Sequence, residues 1–172
     1  MNAIFEETGK LFDPKDLLQI GIVVKDLDAS VAFYENVLGI GPFDRIFTLS
    51  NEQFDFRGSP ADQRMKIAMT YFGDLIIELI EYIDGKSVHA EFLEEKGEGV
   101  DHICFRVEDL DAKLEECKKR GLNVIEYNSP ERVAAEKKGR AFAYIDSDRF
   151  GGLKIELIQL RKDEKLYIRK QA

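Results

Sequence analysis

Two stretches of this chain, 83 residues apart, spell the same order of events. Leu18 to Ala29 reads LQIGIVVKDLDA, and Val100 to Ala112 reads VDHICFRVEDLDA. Each is a β-rich run, an acidic-leucine-acidic corner and the start of a helix. Laying Asp26-Leu27-Asp28-Ala29 on Asp109-Leu110-Asp111-Ala112 sets Gln19 on His102. A second echo closes each copy: Leu75 to Tyr82, LIIELIEY, overlays Leu153 to Leu160, LKIELIQL, and sets Glu78 on Glu156. A duplicated unit of this size buries its apolar face against its twin, so the repeat constrains the architecture before any single residue is weighed.

Period two along Leu17 to Val24 sends Ile20, Ile22 and Val24 to one face and Gln19, Gly21 and Val23 to the other. Asp28 is placed to cap a helix carrying Val31, Tyr34 and Leu38, which Gly39 ends. Strands are predicted over 43–49, 65–72 and 75–83, the last two joined by a Gly73-Asp74 turn. The polar stretch 51–63 reads as a loop whose Phe54 and Phe56 either cap the core or cover a ligand. Ser87 to Lys96 is a short connecting helix with Ala90, Phe92 and Leu93 as its apolar contacts. The second copy follows: strand 100–107, helix 110–120 with Leu114 and Cys117 inward, and strands 122–127, 141–146 and 153–160.

Each half is therefore βαβββ. One helix covers only one face of such a half-sheet, so the other face is buried by the partner half or left as a cleft. The expected fold is α+β, two modules forming a half-open barrel. Its parts are an N-terminal arm (1–16), a single domain (17–161) and a C-terminal tail (162–172). Within the domain, module one is 17–86, the connector 87–98 and module two 99–161.

A length of 172 residues with 44% apolar side chains supports a full core. The net charge of -8 argues against nucleic acid or an anionic membrane as partner, since phosphate neutralisation needs clustered Lys and Arg. The start MNAIFEETGK has neither the basic nor the apolar region of a signal peptide, and no apolar run approaches a membrane span. Cys104 and Cys117 read as packing residues in a reducing compartment, so a cytoplasmic protein is expected.

On the closing strands, period two puts Ile77, Leu79, Ile155 and Leu157 on one face and Glu78 and Glu156 on the other. Singly, a Glu in a strand faces water and a lone His is a hydrogen-bonded core residue. Together, a pseudo-twofold axis brings Gln19, Glu78, His102 and Glu156 to one place in the shared cleft. One imidazole nitrogen, two carboxylates and one amide oxygen suit Zn, Co, Mn, Ni or Fe(II), with positions left for water or substrate. Of the remaining polar residues, His89 and the run Glu94-Glu95-Lys96 read as solvated. Lys137, Lys138 and Arg140 read as a loop near the cleft mouth that is able to hold a phosphate.

QIGIVVKDLDASVAFYENVLGIGPF, SVHAEFLEEKGEGVDHICFRVEDLDA and GGLKIELIQL resemble the vicinal oxygen chelate superfamily, and within it most the methylmalonyl-CoA epimerases. The resemblance covers roughly residues 17 to 161. It implies a divalent metal held at Gln19, Glu78, His102 and Glu156, an acyl-CoA substrate and a homodimer. It also implies departures: those epimerases carry His at the positions of Gln19 and Asp101, whereas Gln-Glu-His-Glu is the set of zinc-type glyoxalase I. Their second catalytic carboxylate falls near Asp62.

The expected activity is a metal-dependent epimerase or racemase that inverts a carbon α to a carbonyl through an enolate. Glu156 takes the proton, and Glu78 or Asp62 returns one from the other side. Three other readings compete: a racemase of aromatic, flavonoid-like ketones using Phe47, Phe54 and Phe56, a glyoxalase I-type lactoylglutathione lyase, and a metal-free protein that only binds or sequesters a small molecule. A single candidate His weighs against an extradiol dioxygenase.

Overall fold

The computed structural model describes residues 9–136, 140–149 and 151–160. Its strands are β1 (Leu17–Val24), β2 (Arg45–Phe56), β3 (Ser59–Phe72), β4 (Leu75–Gly85), β5 (Gly99–Val107), β6 (Val124–Asn128), β7 (Ala141–Ile145) and β8 (Lys154–Gln159). The helices are α1 (Leu27–Phe33), α2 (Val88–Lys96), α3 (Leu110–Lys119) and α4 (Pro130–Glu136).

The DLDA corner explains why each module turns from strand to helix. Asp26 accepts a hydrogen bond from the Ala29 N–H at 2.9 Å, and Asp109 accepts one from Ala112 N–H at 2.9 Å. The cap of α1 is thus the first aspartate of the motif, not Asp28, because it is the residue whose carboxylate reaches back over the first turn. The leucine that follows each cap, Leu27 or Leu110, is fully buried. Each contributes about 1.5–3 kcal/mol of apolar burial and plugs its helix onto the outer face of its module's sheet. Under α1 lie Val24, Ile77 and Leu79. Under α3 lie Ala143, Ile145 and Leu157, with Leu114 and Cys117 contributed by the helix.

The strands close in the order β1-β4-β3-β2-β6-β7-β8-β5. Within each module the outer pair is parallel, β1 with β4 and β5 with β8, and the remaining pairs are antiparallel. The modules meet twice. β1 and β5 share a long antiparallel ladder, whereas β2 and β6 touch only at Asp55 with Tyr127 and Phe56 with Glu126. Among the described residues, most of β2 therefore has no partner on its β6 side, and the ring they form encloses a cavity that is open there. The two-module α+β barrel is the expected one.

Three local expectations change. The stretch 51–63 is not a loop: β2 and β3 run on through it and turn at Arg57-Gly58, with a register shift between Asn51 and Phe54 where Gln53 takes φ 55°. That bulge puts Phe54 in the core, its ring centroid 6.4 Å from that of Phe142. The segment after β6 forms α4. The end of the first helix widens into a π-turn over Tyr34–Leu38 before Gly39. Of the arm, Phe12 stacks on Phe105 at 4.7 Å. Residues 1–8, including Phe5, and the tail from 161 onward lie outside the described residues.

Candidate functional site

Strand periodicity delivers the four sequence-selected side chains to the inner wall of the barrel. All four are buried: Gln19, Glu78, His102 and Glu156. Gln19 Nε2 donates to Glu78 Oε2 at 2.5 Å. His102 Nε2 lies 3.7 Å from Glu78 Oε2 and 3.4 Å from Glu156 Oε2. His102 Nε2 and Glu156 Oε2 are buried without a hydrogen-bond partner among the described residues. Two polar atoms in that condition, facing each other, mark a place that the described residues leave incomplete. A divalent cation fits this donor set.

The far side of the His102 ring is fixed by a second group of residues. Asp101 Oδ2 contacts His102 Nδ1 at 3.3 Å and His89 Nδ1 at 2.8 Å, while Lys154 Nζ donates to Asp101 Oδ1 at 3.3 Å. Burial on its own would raise the Asp101 carboxyl, but the hydrogen bonds from His102 and His89 hold it far below the usual carboxylate range. An ionised carboxylate only accepts, so both Nδ1 atoms carry protons and His102 Nε2 is left as the ligating atom. The Tyr144 hydroxyl closes the chain at 3.3 Å from His89 Nε2. This is how a metal-binding imidazole is oriented from behind. His89, Asp101 and His102 also bring one ligand atom each within 4.8 Å of one another. Those atoms are spent on the shared carboxylate, and the Lys154 ammonium beside it disfavours a cation there.

Gly21 makes room for the ring. It pairs with His102 across β1 and β5, and a Cβ at Gly21 would overlap the imidazole. For His102, burial on its own would lower the pKa, but the contacts to Asp101 and Glu156 outweigh it and push it up to about 10, so the metal-free ring carries a proton on Nε2 as well, and an ion bound there has to displace it. Burial, reinforced by Glu156 and opposed by His102, pushes Glu78 up to about 7.

Gln19, Glu78 and Glu156 line a cavity of about 280 Å³, and His102 is fully buried outside its lining. Its walls are mostly apolar, with Phe47, Leu49, Ile67 and Met69 on β2 and β3 and Phe142 and Ile158 opposite. Arg45 and Arg140 add positive charge to the lining.

Two expectations about site residues are corrected. Asp62 is turned out of the cavity: β3 alternates, so its neighbour Gln63 faces in while Asp62 is exposed and accepts from the Gln53 N–H at 2.7 Å. His89 is not solvated, because α2 lays its Val88-His89-Phe92 side on the barrel. Of the aromatics, Phe47 lines the cavity, Phe54 belongs to the core and Phe56 packs half-buried against the cluster that includes Val88 and Cys104. Lys137 and Lys138 lie outside the described residues.

Sequence reasoning missed Glu126. It is fully buried on β6 and lines the cavity. Gln63 Nε2 donates to its Oε1 at 2.7 Å and the Val88 N–H to its Oε2 at 3.1 Å. Burial outweighs the nearby His89 and these hydrogen bonds and pushes it up to about 7. The signal was present in the alternation Val124-Ile125-Glu126, but β2 and β6 share no sequence echo that would have drawn attention to it.

Residues 18–144 match the family model described as the glyoxalase/bleomycin resistance protein/dioxygenase superfamily. The chain belongs to that superfamily. It is 28% identical over 145 residues to the protein YqjC of Bacillus subtilis, covering 84% of this chain and 92% of that one. It is also 28% identical to the ethylmalonyl-CoA/methylmalonyl-CoA epimerase of Cereibacter sphaeroides, covering 84% and 97%. Among solved structures, a Streptomyces coelicolor methylmalonyl-CoA epimerase variant in complex with 2-nitronate-propionyl-CoA is 26% identical. It superposes with a TM-score of 0.58 over 84% of this chain and 96% of that one.

Proposed function

We propose that this superfamily member is a divalent-metal-dependent epimerase acting on an α-carbon next to a thioester carbonyl, with a malonyl-type acyl-CoA as substrate. The observation that carries it is the convergence of Gln19, Glu78, His102 and Glu156 on the two partnerless atoms His102 Nε2 and Glu156 Oε2. The likeness to the Cereibacter epimerase supports the same reading.

Gln19, Glu78, His102 and Glu156 would hold the ion, which supplies Lewis-acid stabilisation of negative charge on substrate oxygens. The chain's own residues do the rest. Asp101 keeps a proton on His102 Nδ1 and so keeps Nε2 available. The apolar walls exclude water from the reacting carbon and strengthen every charge interaction inside. Glu156, whose Oε2 faces the site without a partner, takes the α-proton. Arg45 and Arg140 balance the carboxylate of a malonyl-type group. About 280 Å³ admits an acyl group and not a coenzyme, so the nucleotide end stays outside the barrel.

The test combines elemental analysis with proton NMR of methylmalonyl-CoA and ethylmalonyl-CoA in deuterated buffer. One equivalent of metal and wash-out of the α-proton are expected. Metal-loaded protein that leaves both thioesters unlabelled refutes the reading. An aryl ketone is included because Phe47 lines the cavity, and labelling of that ketone alone would move the assignment to an aromatic-ketone racemase.

A further inference from the structure

We propose that Glu126 is the second acid-base group of this site, facing Glu156 across the bound α-carbon. The inference rests on the epimerase reading and names the residue that completes it. Inversion requires a proton to leave one face of a planar enolate and another to arrive on the opposite face, so two groups must flank the carbon.

Among the described residues, three carboxylates line the cavity: Glu78, Glu126 and Glu156. Glu78 is tied to Gln19 and lies beside the same His102 nitrogen as Glu156, so these two share one pole of the cavity. Asp62 faces solvent. Glu126 alone enters from elsewhere.

Its position follows from register. Glu126 pairs with Tyr144, and Tyr144 pairs with Glu156. All three point inward, so the two glutamates stand two strand spacings apart, about 10 Å between backbones. The inward Tyr144 side chain stands between them on the same wall, so a carbon held over its ring has one carboxyl group on either side. Gln63 Nε2 and the Val88 N–H hold the Glu126 carboxyl from two different elements. Both donors are neutral, so among the described residues the group is desolvated without an ion pair, a costly arrangement that a structural glutamine would avoid. Burial also brings it to about 7, where it is present in both protonation states near neutral pH, as a group that gives and takes protons requires.

The step balances as follows. The Glu156 carboxylate takes the α-hydrogen as a proton, and the C–H electron pair becomes the enolate, with charge on the carbonyl oxygen. The Glu126 carboxyl then gives its proton to the other face of the carbon, and the enolate pair forms the new C–H bond. Glu156 ends protonated and Glu126 ionised. From the opposite enantiomer the roles exchange.

The experiment uses the metal-loaded full chain with each enantiomer of methylmalonyl-CoA in deuterated buffer, following inversion by chiral analysis and exchange by NMR. Wild type is expected to invert and exchange from both. Glu126→Gln is expected to lose inversion by about 10²–10⁴-fold while exchange persists from the enantiomer whose α-hydrogen faces Glu156. Inversion within tenfold of wild type overturns the proposal. So does parallel loss of exchange from both enantiomers at unchanged metal content, the result of a role confined to holding the start of α2. If Glu126→Gln does not fold, Glu126→Asp, which keeps the carboxyl but shortens its reach, is expected to show the same one-sided defect in milder form, and a symmetric defect counts against Glu126. If wild type itself neither exchanges nor inverts, the epimerase reading fails and not the choice of Glu126.

Discussion

Gly21→Ala is the change that tests the site most directly, because it adds one methyl group and no charge. Gly21 and His102 are paired residues on β1 and β5, and both backbones are held by the ladder. A Cβ at Gly21 stands 2.5 Å from His102 Nδ1 and nearer still to Cε1 and Nε2, so the ring has to leave. Leaving separates Nδ1 from Asp101 and carries Nε2 away from Glu78 and Glu156. Overpacking costs about 1–3 kcal/mol. Losing a buried charge-assisted contact costs about 1.5–3 more. The stiffer unfolded chain returns about 0.4–1 kcal/mol, too little to hide the loss. At about 2–4 °C per kcal/mol for a chain of this size, the metal-free protein melts roughly 5–20 °C lower. Thermal melting gives the first number and isothermal zinc titration the second, in which affinity is expected to fall by more than about a hundredfold. A variant that melts within 2 °C or so of wild type and binds zinc equally well would show that the ring has another place to go, and the account of Gly21 would be wrong.

Asp62→Asn is expected to leave deuterium exchange of methylmalonyl-CoA within about twofold of wild type, since a solvated carboxylate outside the cavity contributes to neither binding nor proton transfer. Asp26→Ala removes the α1 cap and is expected to cost about 1 kcal/mol in urea unfolding at unchanged metal content. Asp101→Asn withdraws the anion that Lys154, His89 and His102 share, leaving buried positive charge unpaired. It is expected to cost about 3–5 kcal/mol by the same measurement and to weaken zinc binding. The raised pKa of Glu126 makes the folded state hold its proton longer than the unfolded state does. Its contribution to stability is therefore full below about 4.5 and is lost as pH rises through about 7. Glu126→Gln should flatten urea-unfolding stability between pH 5 and 8 relative to wild type, and an unchanged slope would refute that account.

Residues that repeat, or that lie on regular alternation, were legible in the sequence. The DLDA corners, the two LxIELI strands and the inward faces of Gln19, Glu78, His102 and Glu156 all follow from period two and two echoes, one of 83 residues and one of 78. Gly21 carried a signal too, since glycine inside a β-rich run marks a close approach. What stayed hidden depends on contacts between elements with no common pattern. Asn51-Glu52-Gln53 reads as a loop because its polarity masks a bulge that only the β3 register reveals. His89 reads as solvated because helix α2 is too polar to announce which side packs; Asp101, supplied 12 residues later, turns that side inward. Asp62 and Gln63 are adjacent, and the choice between them is a one-residue question of register.

The duplication explains the scaffold, and its breaking explains the chemistry. On equivalent backbone positions of the two modules stand Gln19 and His102, then Glu78 and Glu156. Continuing across the ladders, Glu78 meets Met69 and then Arg45, whereas Glu156 meets Tyr144 and then Glu126. Identical residues at every pair would give two equal ways to seat any ligand, and no face of a bound carbon would differ from the other. Here the pair that shares one ion in the proposed reading, Glu78 with Glu156, is alike. The pair two strands away has diverged to a cation in module one and a carboxyl in module two. On the proposed epimerase reading, a substrate with one anionic end and one acidic carbon then has a single favoured orientation in the barrel, with the carboxyl groups of module two on the side where the proton would move.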